Sequence, residues 1–353
     1  MWTAIVNFLA SIIDLFFKLT GNFGVAVILF TVLVKGLMLP LDIKSKKSTA
    51  KIQEINPEIQ RISEKYANDP EKRSKKLQEV YTANHINPLG GCLPMLITMP
   101  LVIIIFAALR QIAAQHMFVY LQQLLVDADA SMGAVIDSIL VSLEGSDVIT
   151  SSFKDILPKL FNNSGELVKG LEKLPEVIGE DTWNALQGAI KSVTFEQGQA
   201  TAREMGYSFL WIKNIWAPDS PLKSILGTSF SIRNLFGSGA GTYWALCNGF
   251  FILPVISTAS QYLHTYLMNR KSKQVQKDYD EQHKKKKSSK TENAADPQAS
   301  MKLMNKILPL MSLYFCATYN GAFALYWTIS NFVSIAQFFV TERILNKKKS
   351  VKE

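Results

Sequence analysis

Residues 25–41 read VAVILFTVLVKGLMLPL, and only Thr31 and Lys35 bring side-chain polar atoms into that run. With Phe23 and Gly24 the stretch has 19 residues, and as a helix it measures roughly 28 Å, about one hydrocarbon thickness. The run therefore reads as a membrane-crossing helix that carries a charge. An ammonium in hydrocarbon costs roughly 2.5 kcal/mol or more. Lys35 lies six residues before Leu41, so its stem can snorkel toward the nearer edge with slight thinning of the bilayer. The other reading is a cation in a water-filled cavity. None of the chain's five expected spans, described below, holds an Asp or Glu in its core, so Lys35 is expected to draw on water or on a carboxylate brought by another molecule. Thr31, one turn earlier, shares its face and can help hydrate it.

The rest of the chain follows the same pattern. Its 353 residues are 48% hydrophobic with a formal net charge of +9, and the apolar residues fall into long blocks separated by charged stretches. Five spans are expected: 23–41, 93–109 with Pro100 inside, 243–263 with Pro254 inside, 304–319 and 322–340, the last two joined by a tight turn at Asn320-Gly321. The stretch 1–20 is interrupted by Asp14 and Lys18 and reads as an amphipathic helix in the interface, with no cleavable signal peptide. Loop 42–86 carries ten Lys/Arg against seven acids, loop 269–306 eleven against five, and the tail from 342 five against two. The positive-inside rule then sets the N-terminus outside and the C-terminus inside. Trp211, Trp216 and Trp244 fall near the outer interface.

Segment 43–86 is expected to form a cytoplasmic helical hairpin. Ile52, Ile55, Ile59 and Ile62 make one apolar stripe, and Pro57 should bend that helix. Asp69 suits an N-cap, Pro70 the first helical position and Glu71 the helix dipole; Leu77, Val80 and Tyr81 form the facing stripe. Segment 117–205 is acidic, helical in periodicity and extracytoplasmic, and its residues assign it no role. Residues 269–303 form a basic cytoplasmic loop and 342–353 a basic tail. The run Lys284-Lys285-Lys286-Lys287 is either a solvated positive-inside loop or a contact for phosphate, on anionic lipid or ribosomal RNA.

Catalytic chemistry finds little support. Cys92, Cys247 and Cys316 lie in apolar blocks without metal-ligand spacing. GSGAG at 237–241 lacks the Lys-Ser/Thr of a phosphate loop. Ser260 and His264 share a helix face, but no third orienting group or nucleophile elbow accompanies them. Absent intramembrane carboxylates argue against a proton-coupled pump, and no repeat supports an inverted-repeat transporter.

Several ordered blocks resemble the YidC/Oxa/Alb family of membrane protein insertases: GNFGVAVILFTVLVKGLMLPL at 21–41, INPEIQRISEKYANDPEKRSKKLQEVY at 55–81, HINPLGGCLPMLITMPL at 85–101, FLWIKNIWAPDSP at 209–221 and NGAFALYWTISNFVSIAQ at 320–337. The resemblance implies a hydrophilic groove open to cytoplasm and lipid but closed outside. A positive residue of the first span sits in that groove and attracts polar segments of a nascent protein. The client's apolar segment then leaves along the third and fifth spans. Lys35 matches a position that is commonly Arg; the Lys keeps the charge and loses the planar fork. Tyr326 and Trp327 match groove-facing positions, with ordinary packing as their other reading. Gln261 and His264 both suit the polar position of the third span. Thr98 stands where many relatives carry a longer polar side chain.

The expectation is an all-α integral membrane protein: a five-transmembrane-helix bundle, N-out and C-in, with a hydrophilic groove, a cytoplasmic helical hairpin and a helical extracytoplasmic insertion. It is expected to be an insertase and membrane chaperone rather than an enzyme, without cofactor or metal, in the bacterial cytoplasmic membrane. Expected partners are nascent membrane proteins, the ribosome, anionic lipids and a Sec-type translocon. The alternative is a small-solute transporter or channel.

Overall fold

The computed structural model describes residues 2–66, 68–84, 93–144, 153–163, 165–224, 247–282 and 297–350, with side chains except at 45–50, 53–54, 56, 60, 64, 93–99, 271–282, 297–306 and 344–350. Among the described residues every regular element is a helix: α1 Trp2–Thr20, α2 Phe23–Glu54, α3 Asn56–Lys65, α4 Pro70–Ala83, α5 Leu93–Ala128, α6 Met132–Glu144, α7 Phe153–Asn162, α8 Leu174–Ile178, α9 Glu180–Ser192, α10 Phe195–Glu204, α11 Ile252–Gln282, α12 Pro297–Thr318 and α13 Gly321–Ser350. The only strand-like pairings among them are isolated bridges, Phe209 to Ile212 and Ser224 to Cys247. The all-α expectation therefore stands.

Among the described residues four helical stretches are long and apolar enough to cross a membrane: Trp2–Thr20, Phe23–Lys44, Pro100–Ala128 and Gly321–Arg343, while Ile307–Thr318 is apolar but shorter. The first of these is the stretch read from sequence as interfacial. Val6, Ala10 and Ile13 bury one side of α1, and Trp2, Ile5, Phe8, Leu15 and Leu19 stand exposed around the rest.

Helix ends differ from hydropathy ends, because a helix stops where its hydrogen bonds are interrupted and not where the apolar run stops. After Leu41 nothing breaks the ladder until Ile55, so α2 continues to Glu54. Pro57 does not bend this helix. The chain leaves α2 at Ile55 and restarts with Pro57 in the first turn of α3, where a missing N–H is harmless. In the same way α5 runs on past Leu109 to Ala128. The stretch 243–263 reads as a helix with Pro254 inside, but residues 247–251 are not helical and α11 begins at Ile252, so Pro254 lies in its first turn.

The chain divides into two compact units. One comprises Met1–Phe30, Ile104–Val255 and Tyr314–Trp327. In it Ile105, Leu109, Ile112, Leu121, Leu124 and Leu125 of α5 are wholly or almost wholly buried. Helices α6 to α9 pack on one another, burying Met132, Ile136, Ile156, Leu160, Leu174 and Leu186. Thr194 opens α10 with a capping box, its side chain accepting from the Gln197 amide while the Gln197 side chain accepts from its own. His116 of α5 stacks on Trp216 and bridges the Tyr207 hydroxyl at 2.7 Å and Asp14 Oδ1 at 3.1 Å. Burial holds the Tyr207 phenol above its ordinary pKa. Gly206 has a φ of +70°, and a Cβ there would strike the Gly21 carbonyl oxygen; its own carbonyl accepts from the Phe23 amide at 2.9 Å, at the start of α2.

Segment 207–224 ties helix ends together within this unit. Asn248 is fully buried; its Nδ2 donates to the Asn214, Ala217 and Pro218 carbonyls and its Oδ1 accepts from the Asn214 amide. The buried Asp219 carboxylate accepts from the Phe251 and Leu253 amides at 3.2 and 2.7 Å and from the Trp211 indole at 3.2 Å. It caps α11 from a distance in sequence, where the orphan amides and the dipole favour an anion. A Cβ on Gly249 would collide with that carboxylate. Gly321 and Ala322 donate their amides to the Ala217 and Ile215 carbonyls at 3.0 Å each, and Asn320 Oδ1 caps α13 through the Phe323 amide.

The second unit comprises Thr31–Ile103, Ile256–Leu313 and Thr328–Glu353. In it α3 packs on α4, with Ile59 buried and Leu77, Val80 and Tyr81 half-buried. Asp69 caps α4 as its position suggests, accepting from the Lys72 amide at 3.0 Å with Pro70 in the first turn.

Candidate functional site

In this second unit the Lys35 ammonium is half-buried and donates to Ser334 Oγ of α13 at 2.9 Å. Gln337, one turn further along α13, donates its Nε2 to the Lys35 carbonyl at 3.0 Å, and its buried Oε1 has no hydrogen-bond partner. Pro40 adds to the polarity here: it offers no N–H to the carbonyl of Gly36, the residue after Lys35. The sequence expectation left Lys35 without an ionised partner in its own chain. Beyond the apolar run of the same helix, Asp42 acts on it electrostatically. Asp42 lies seven residues on, past the apolar run but on the same helix face, which a search of the span's core alone overlooks. Thr31 is fully buried on that helix.

A second polar cluster lies in the same unit. Ser257 of α11 and Ser312 of α12 share a hydroxyl–hydroxyl bond at 2.9 Å. Asn331 of α13 donates to the Ser257 carbonyl at 3.1 Å and to Ser260 Oγ at 3.2 Å. Ser260 gives its own proton to the Ser257 carbonyl at 2.9 Å. All four residues are buried, and three helices are pinned by groups that would be costly to leave unpaired in an apolar setting. The Ser260 hydroxyl is thus spent on the backbone, which removes support from a Ser/His nucleophile.

Of the residues singled out from sequence, Lys35, Thr31, Gln261 and His264 belong to this unit, with Gln261 buried and His264 half-buried. Ser257, Ser260, Gln261 and His264 follow one another at helical spacing on one face of α11. Tyr326 and Trp327 belong to the other unit: Tyr326 is buried, and Trp327 packs on Phe323 at 5.7 Å with its buried Nε1 unpaired. The side chain of Thr98 and the run Lys284–Lys287 lie outside the described residues. Sequence reasoning missed Ser257, Ser312, Asn331, Ser334 and Gln337. The signal was present in α13, where Thr328, Asn331, Ser334 and Gln337 recur every third residue through an apolar stretch.

Apolar helices of membrane-crossing length, with an ammonium and buried amides set on their facing sides, define an α-helical protein of transmembrane character. A family model described as 60Kd inner membrane protein matches residues 15–158 and 183–349. The chain belongs to this family, that of the YidC/Oxa/Alb insertases. It is similar to the membrane protein insertase YidC of Fusobacterium nucleatum, 37% identical over 131 residues, which are 36% of this chain and 63% of the relative. It is also similar to YidC of Clostridium tetani, 43% identical over 91 residues, 26% of this chain and 41% of the relative. To YidC of Hahella chejuensis it is 45% identical over 91 residues, 26% of this chain and 16% of the relative. The matches therefore span less than two-thirds of each relative's length.

Proposed function

We propose that this protein is a membrane protein insertase and chaperone of the bacterial cytoplasmic membrane. The observation that carries the reading is the Lys35 ammonium resting on Ser334, beside the unpaired Gln337 acceptor, in a chain of the insertase family. A neutral hydroxyl leaves the ammonium its charge, so a passing carboxylate or peptide carbonyl can replace or join it. The unpaired amide oxygen offers an acceptor to a client N–H. In this reading five spans, N-out and C-in, enclose a hydrophilic groove. Lys35, Thr31, Thr98, Gln261, His264, Tyr326 and Trp327 line it or flank the client's path.

The driving force is burial of the client's apolar segment in lipid, at about 25 cal/mol per Å². The groove lowers the desolvation barrier for the polar flank, and Lys35 adds a local attraction. The α3–α4 hairpin meets the client first on the cytoplasmic side. Lys284–Lys287 and the basic tail meet the ribosome or anionic lipid, and a Sec-type translocon is a further partner. The purified protein in liposomes is expected to insert small one- or two-span clients. Lys35→Ala and Lys35→Glu should impair clients with acidic extracytoplasmic tails most. Full insertion of those clients by both variants would remove the electrostatic role, and solute flux without insertion would replace the reading with a transporter.

A further inference from the structure

We propose that the tip of the Phe209–Ile212 hairpin, led by Leu210, is a lipid-inserted wedge that holds the outer ends of the membrane helices at the bilayer interface. Phe209 and Ile212 pair reciprocally through their backbones, each amide to the other's carbonyl at 2.9 Å, which leaves Leu210 and Trp211 as a two-residue tip. Leu210 has a φ of +53° and is 74% exposed. Tight tips of this kind favour Gly, Asn or Asp, which tolerate that backbone and suit water. A leucine meets neither need, so its apolar side chain is the feature that a position in hydrocarbon explains.

The hairpin's surroundings say what covers it. A Cβ on Gly24 would overlap the Phe209 ring, so the hairpin base rests on the first turn of α2. Trp211 shares the Asp219 carboxylate with the first residues of α11. The carbonyls of Ile215 and Ala217 receive the first amides of α13. Segment 209–219, which carries the hairpin, is thus bonded to or packed on the starting ends of three helices, two of which are apolar enough to cross a membrane. The apolar surface of those helices begins at the same level: Val25 of α2 and Val255 of α11 are exposed in their first turns. An exposed leucine at that level meets acyl chains, and the half-buried Trp211 beside it in the tip suits the interfacial layer. The proposal rests on the reading that these helices cross a bilayer, and not on insertase activity.

The test places a nitroxide on Leu210→Cys in a chain whose Cys92, Cys247 and Cys316 are replaced by Ala, in phosphatidylethanolamine–phosphatidylglycerol liposomes. Labels at Leu29, exposed on α2, and at Glu180, exposed on α9, serve as references. The expected result is a label at 210 that oxygen reaches more readily than a nickel chelate, as at 29 and unlike 180. Chelate access at 210 with a lipid-like 29 overturns the wedge alone. Protection from both agents overturns it in favour of a protein cover, and chelate access at 29 overturns the membrane reading beneath it. In the chain with native cysteines, Leu210→Trp should add emission that brominated acyl chains quench; unquenched added emission is the contrary result.

Discussion

Lys35 is an ammonium whose nearest protein acceptor is neutral. Its bond to Ser334 orients the side chain. A client carboxylate at ~4 Å in an environment of effective dielectric near 20 gains about 4 kcal/mol before desolvation, so losing the charge should lower insertion of acidic-tailed clients several-fold. Lys35→Arg should retain most activity, since the groove reading asks for charge more than for a planar fork. Ser334→Ala should fall between wild type and Lys35→Ala in the same liposome assay. Asp219 makes a separate case: it satisfies two backbone amides and one indole from a fully buried position. Asp219→Ala should cost roughly 3 kcal/mol or more, read as a lower unfolding midpoint in detergent.

At the level of elements, the chain separates helices held by local chemistry from helices held by distant partners. The cap of α4 is local: Asp69, Pro70 and Glu71 stand in sequence order, and the structure uses Asp69 as expected. Asp69→Ala should cost about 1 kcal/mol and speed amide exchange at Lys72 in particular. The join of α11, α12 and α13 is not local. Asn331→Leu removes two donors from Ser257 and Ser260 and should cost about 1–3 kcal/mol. The combined Asn331→Leu and Ser260→Ala variant should lose less than the sum of the two single losses, because both remove the same Asn331–Ser260 bond. Additive losses in equilibrium unfolding would show the contacts to be independent.

Across the whole molecule, charge and apolarity are segregated, and binding at the basic segments should follow salt. Replacing Lys284–Lys287 together by Ala should weaken association with anionic vesicles and flatten its salt dependence, measured by vesicle co-sedimentation, without abolishing liposome insertion. The sequence by itself determined the helical class, the apolar stretches and the α4 cap. Each of these follows from composition or spacing within a few residues, the range over which helix periodicity and capping act. What the ammonium rests on, and where α11 begins, were decided only by tertiary structure. Ser334 lies 299 residues from Lys35, and Asp219 lies 32 and 34 residues before the amides it caps. No local pattern carries such pairings, because a buried polar group takes its partner from whichever element packing brings within hydrogen-bonding reach.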